Sequence, residues 1–411
     1  MALSFDKQLQ TYADLIVKVG LNLQKGQRLW INASVEEPDL TRRVVETAYK
    51  TGAYYVNVIW TDDALTLSRF KYASKDSFTH FPEWMKEAFN LEMKKGDALL
   101  SVRSSDPELL KGQDPDSIAT AEKTAREAFK PRMKKVLTSE VNWCVVNIPS
   151  RGWASRVFPK LTPEKAVSKL WAAIFAAVRA DKPNAVKLWQ KHLQGLEQRR
   201  AYLDVKQYSA LHYKAPGTDL TLGLVDNHLW MGGTQDTQDG ITYVANLPTE
   251  EVFTMPHKDR VDGTVRSSKP LAYGGTLIDE FELTFKNGVV TTAKAKRGLK
   301  TLERLLETDD GAKRLGEVAL VPYSSPISQS GVLFLSTLFD ENAANHVALG
   351  SAYRFNVKDG TKMNDKQAAK AGVNSSLTHV DFMIGSNKMD IDGVAKDGSR
   401  EAVMRKGEWT F

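Results

Sequence analysis

From residue 5 to residue 148 the hydrophobic pattern switches repeatedly between a helical and a strand period, and that alternation limits the fold more than any other feature. Residues 5–19 carry apolar side chains at amphipathic-helix spacing, and residues 27–33 (QRLWINA) read as a strand. Residues 36–50 return to the helical period with Pro38 in the first turn, and Gly52 follows as a stop. Residues 54–60 (YYVNVIW) are strongly β-prone and close a βαβ unit of the size a parallel crossover needs. The pattern repeats as a helix over 83–95, a strand over 98–103, a helix over 116–137 and a strand over 141–148. An α/β N-terminal domain with about four largely parallel strands is the expected result.

The loop after the first strand, Ala33-Ser34-Val35-Glu36, has no glycine, and the later strands are followed by no Gly-rich phosphate cradle either. Nucleotide binding therefore loses its main support. Two further helices, over 163–180 and 183–205, lead out of this half. From residue 209 the texture changes to short strands broken by Asn-Gly and Gly-Gly, with segments at 220–224, 288–293 and 318–322 and a helix over 298–307. The expected division is an α/β domain over 1–205 and a β-rich α+β domain over 206–411.

At 411 residues the chain is long for one core, and 42% hydrophobic with 26% charged residues is the composition of ordinary folded domains. Its longest apolar run, WAAIFAAV, is too short to span a bilayer, which predicts no membrane partner. The N-terminus MALSFDKQLQ lacks the pattern of a secretory signal, and the single Cys144 has no partner for an internal disulfide. Both point to the cytoplasm. The net charge of +6 is spread along the chain, so no nucleic-acid partner is expected. Cys144, in the apolar run VNWCVVNI, is expected to be a buried thiol.

Histidine is scarce, with seven in the chain, and two of them lie close to acids in the C-terminal part. In an extended His379-Val380-Asp381 the imidazole and the carboxylate share one side of the strand and can converge on one point. His346 lies in ENAANHVALGSAY, and Glu317 opens an otherwise apolar strand just after Gly316, where a carboxylate must be paired, protonated or on a metal. Singly, each has an ordinary explanation as a surface pair, an edge position or a locally satisfied loop residue. Together with Glu251 in NLPTEEVFT and Tyr353, they form a nitrogen and oxygen donor set suited to Zn²⁺, Co²⁺ or Mn²⁺.

The segments NLPTEEVFTMPH, RLGEVALVP, ENAANHVALGSAY and THVDFMIG, in that order and spacing, resemble the M29, or thermophilic-type, aminopeptidases over the full chain. That resemblance implies that Glu251, Glu317, His346, Tyr353, His379 and Asp381 form a site for two divalent ions in the C-terminal domain. It also implies a homodimer and peptide substrates with a free N-terminus. Of the neighbours Glu250 and Glu251, the family motif favours Glu251 facing the metals, and Glu250 is the candidate general base. Glu317 is the candidate bridge between the ions. Tyr353 is either a ligand or a hydrogen-bond donor to the oxyanion. His257, Asp259 and Arg260 are candidates for lining the site, whereas Asp236 and Asp239 read as an exposed turn and Asp390 and Asp392 as a polar hairpin. Two rival readings stand beside the aminopeptidase: another dinuclear metal amidase or dipeptidase, and a catalytically inactive dimeric binding scaffold. No GxSxG motif supports a serine hydrolase.

Overall fold

The computed structural model describes residues 3–88, 90, 93–104, 106–273 and 276–411. The chain forms two compact units, one of Met1–His192 with Thr234–Pro248 and one of Leu193–Gly233 with Thr249–Phe411. Among the described residues no helix is long and apolar enough to cross a membrane.

The first unit is built on the expected parallel sheet. Its strands β1 (Arg28–Ser34), β2 (Tyr55–Thr61), β3 (Ala98–Arg103) and β4 (Asn142–Asn147) lie in the order β2-β1-β3-β4, every pairing parallel. The central strand β1 is buried almost throughout, as a parallel strand covered on both faces must be. The helix Pro38–Thr51 between β1 and β2 buries Leu40, Val44 and Ala48 at i, i+4 and i+8. Gly52 ends it with φ 101°, a left-handed cap that a side chain would strain. The helix expected over 116–137 is two helices, Pro115–Ala128 and Lys130–Leu137. Pro131 has no N–H to continue the ladder, and its ring crowds the carbonyl four residues back. Of the helix expected over 83–95, Glu83–Glu87 is observed, and residues 89, 91 and 92 lie outside the described set.

The second unit is dominated by antiparallel strands. A nine-stranded sheet runs in the order Leu271–Tyr273, Thr276–Lys286, Pro256–Arg266, Thr218–Leu224, Ala210–Ala215, Asp390–Val394, Arg400–Arg405, Glu408–Trp409, with Val289–Arg297 also paired to Thr276–Lys286. Two of its longest strands, Pro256–Arg266 and Thr276–Lys286, were not expected from the sequence. Charged residues punctuate both, and few positions reach the core: Pro256, Val261 and Val265 in the first, and Ile278, Phe281, Leu283 and Phe285 in the second, of which the last three alternate. The Asn287-Gly288 turn behaves as its sequence demands, with φ 50° and 78° in a hairpin between Lys286 and Val289. A second sheet of four antiparallel strands has the order His379–Met383, His346–Gly350, Leu315–Leu320, Val252–Thr254.

Candidate metal centre

This four-stranded sheet gathers donors that are distant in sequence. Glu317 pairs across the sheet with Ala348, and Ala348 with Asp381, so the two carboxylates flank a methyl group on one face. His346 is two residues from Ala348, and His379 two from Asp381, which returns both imidazoles to that face. On the other side Ala319 pairs with Phe253, and Glu251 lies two residues before Phe253. The register breaks between Leu315 and Glu317, at Gly316. A Cβ on Gly316 would lie 2.3 Å from the carbonyl oxygen of Gly350, so the close approach requires glycine there.

The ligand atoms of Glu251, Glu317 and His346 lie within 4.8 Å of one another, and so do those of Glu317, His379 and Asp381. Glu317 belongs to both groups. His346 Nε2 is 3.0 Å from Glu251 Oε2 and 3.6 Å from Glu317 Oε1. His379 Nε2 is 3.7 Å from Glu317 Oε2 and 3.5 Å from Asp381 Oδ1. A tetrahedral ion with bonds of about 2.0–2.2 Å holds its ligand atoms about 3.3–3.6 Å apart, and the observed spacings bracket that value.

Backbone carbonyls orient both rings. His346 Nδ1 lies 3.0 Å from the carbonyl oxygen of Ala344, and His379 Nδ1 lies 2.7 Å from that of Ser351. A carbonyl only accepts, so Nδ1 carries the proton and the Nε2 lone pair of the neutral ring faces the carboxylates. Without a cation that arrangement is strained electrostatically. Burial, with repulsion from Asp381 and Glu251, pushes the Glu317 carboxyl up to about 7. Burial opposes the charged ring of His379, yet Asp381 and Glu317 raise it to about 9, and the same competition with Glu251 and Glu317 raises His346. Asp381 stays below the usual range because His379 outweighs its burial. Glu251 Oε2, His346 Nε2 and Asp381 Oδ1 are buried without a regular hydrogen bond. Such orphaned donors around a common point fit a bound cation.

Tyr353 lies beside the centre, its ring 4.9 Å from that of His379 and tilted 47° to it. Burial and the charges of Glu317 and Asp381 push its phenol above the ordinary range, so it is a neutral donor. Glu250 is 3% exposed, its N–H donates to Asn342 Oδ1 at 2.7 Å, and its charge acts on Arg199. It stands beside the donor groups and outside them. Sequence reasoning passed over Glu341, although it opens the segment that carries His346. Burial and the charges of Glu251 and Asp381 raise its carboxyl well above the usual range, and it lines a cavity together with Asp381.

The family description "Thermophilic metalloprotease (M29)" matches residues 5–409. The chain belongs to the M29 family. Aminopeptidase AmpS of Bacillus subtilis is 48% identical over 408 residues, covering 99% of this chain and all of that one. Aminopeptidase 2 of Geobacillus stearothermophilus is 47% identical over 407 residues, covering 99% and 98%. The solved structure of wild-type AmpT from Thermus thermophilus superposes with a TM-score of 0.93 at 43% identity, covering 99% of this chain and all of that one.

Within this M29 chain several other candidates lie away from the donors. His257 and Arg260 line a separate cavity of about 350 Å³ with Asp226, Val357, Lys358 and Lys370, and Asp259 pairs with Arg314 at 2.7 Å. Asp236 is exposed in a short two-stranded turn, and Asp239 pairs with Lys95 at 3.1 Å. Asp390 and Asp392 sit in the hairpin that pairs Asp390–Val394 with Arg400–Arg405. Cys144 is buried in β4, in the unit that does not hold the donors.

Proposed function

We infer that this M29 chain is a metallo-aminopeptidase, and we propose that Glu251, Glu317, His346, His379 and Asp381 hold two divalent ions, with Glu341 and Tyr353 at the same centre. One observation carries the proposal: Glu317 directs Oε1 toward His346 and Oε2 toward His379, the posture of a carboxylate shared by two ions. Burial and mutual repulsion hold the carboxyls of Glu317 and Glu341 above the usual range, and bound cations would relieve that repulsion. The donors are nitrogen and oxygen with no thiolate, which suits Zn²⁺, Co²⁺ or Mn²⁺.

When bound, such a pair of ions supplies Lewis acidity to the scissile carbonyl and lowers the pKa of a water at the centre. The protein's own groups do the rest. Glu250 is the proposed acceptor of the water proton, and Tyr353 donates its hydroxyl hydrogen bond to the carbonyl oxygen as charge develops there. The carbonyls of Ala344 and Ser351 keep both Nε2 atoms turned inward throughout. Substrates are peptides with a free N-terminus, consistent with the aminopeptidase names of the relatives. We extend the proposal to a cytoplasmic homodimer, which sedimentation and fractionation test directly.

The deciding experiment is metal content per chain, combined with hydrolysis of aminoacyl chromogenic substrates before chelation, after it, and after metal return. About two ions per chain and activity that follows them support the reading. A folded protein with no metal and no metal-dependent hydrolysis favours the scaffold reading, and cleavage of amides without a free amine favours the amidase.

A further inference from the structure

A second cavity adjoins the centre within the same unit. It has a volume of about 50 Å³ and is lined by Asp381 of the donor cluster and by Glu341. Leu271, Leu333, Leu335 and Met383 form an apolar wall, and Ser336, Thr337 and Asp340 complete the lining. Met383 pairs across the sheet with His346, so it sits on the donor face, two residues beyond Asp381. The cavity thus combines an apolar wall with three carboxyl groups, Asp340, Glu341 and Asp381.

Its far wall is held in place. Asp340 accepts hydrogen bonds from the N–H groups of Phe334 at 2.8 Å and Ser336 at 3.0 Å, which bracket Leu335. Phe334 in turn stacks on Phe339 at 4.5 Å between ring centres. A pocket whose walls are fixed before the ligand arrives loses little entropy on binding. Size then sets the occupant. One water needs about 10–15 Å³, so the cavity has room for roughly four atoms of that size, the number in a leucine side chain.

We propose that this cavity receives the N-terminal side chain of the substrate and selects short aliphatic residues, Leu, Met and Val, over acidic residues and Trp. The inference rests on the aminopeptidase reading. The substrate amine would lie at the donor end, and its side chain would run along Leu333, Leu335 and Met383. An acidic side chain there meets Asp340, Glu341 and an apolar wall, and an indole exceeds the volume.

The test uses the metal-loaded full chain and two readouts. In the first, kcat/KM is measured for p-nitroanilides of Leu, Met, Val, Asp, Lys and Trp, with Leu expected to exceed Asp and Trp by at least about tenfold. In the second, calorimetry measures binding of leucinol, an amino alcohol with no bond to cleave, against tryptophanol. Leu333→Asp should weaken leucinol at least about tenfold and shift the Leu-to-Lys rate ratio toward Lys by a similar factor, with metal content unchanged. Leu335→Asn, which keeps a left-handed residue at φ 56°, should act in the same direction if the first variant folds poorly. Rates for Leu, Asp and Trp within about twofold of each other, or ratios and binding indifferent to both substitutions, overturn the pocket and leave the metal chemistry standing. Leucinol binding that depends on Leu333 in a protein without hydrolysis supports the pocket and sinks the catalytic reading.

Discussion

His346 Nε2 faces Glu251 Oε2 across 3.0 Å, and neither atom makes a regular hydrogen bond. With Nδ1 held by the carbonyl of Ala344, that imidazole has a proton to offer Glu251 only when it is charged. A divalent ion between the two groups removes the conflict.

Glu317 is the group both ions would share, so its loss should be the most damaging. Glu317→Gln is expected to lower metal content below two per chain and to reduce activity by about 10³-fold, since metal assistance supplies several kcal/mol to the transition state. Mass spectrometry of the metal content alongside kcat/KM checks both. A variant with full metal and full activity ends the bridging role.

Glu250 and Tyr353 should separate chemistry from binding. Glu250→Gln is expected to lower kcat by about 10²–10⁴-fold and Tyr353→Phe by about 10²–10³-fold, with metal content retained in each. Steady-state kinetics and metal analysis on the same preparations decide the roles. Metal loss in Tyr353→Phe makes the phenol a ligand, whereas an unchanged rate in Glu250→Gln removes it as the base.

Glu401 carries a pH dependence that is independent of the metal centre. Lys206 donates to it at 2.6 Å and 2.8 Å, the hydroxyls of Tyr202 and Tyr208 at 2.7 Å and 2.8 Å, and together they depress the carboxyl to about 2. A depressed acid contributes stability above its unfolded value, and that stability is lost as pH falls from 4.5 toward about 2. Glu401→Gln should therefore melt below the wild type at pH 7, and the gap should close on acidification. Thermal melts across this range test it, and a gap that is constant with pH would be the contrary result.

Cys144 should be dispensable for catalysis. It is 1% exposed, and burial pushes its thiol far above the range of a reactive cysteine. Cys144→Ala is expected to keep activity within about twofold, at the cost of a small cavity and about 1–3 kcal/mol of stability. A large drop in kcat with an unchanged fold would restore the thiol as a participant.

Much of the candidate centre was legible because Glu317, His346, His379 and Asp381 fall in short strands, where a period of two fixes which neighbours share a face. His379 and Asp381 needed only that rule. Glu317 stood out because a carboxylate in an all-apolar strand has few lawful explanations. Glu341 escaped because it lies in a 3₁₀ turn, where no period marks its direction. His257 and Arg260 follow Glu251 closely in sequence, yet they line a separate cavity, which sequence proximity does not reveal.

By itself the sequence determined the parallel sheet, because buried strands alternating with capped helices leave few other solutions. It also determined the hairpin at Asn287-Gly288 and the donor types, which depend on local dihedrals and side-chain chemistry. Tertiary structure alone decided that Ala348 lies between Glu317 and Asp381, that Gly316 breaks the register, and that Glu341 and Asp381 line one cavity. Each of these depends on cross-strand register and on turns between distant segments, and register is set by how whole faces pack rather than by any local stretch of chain.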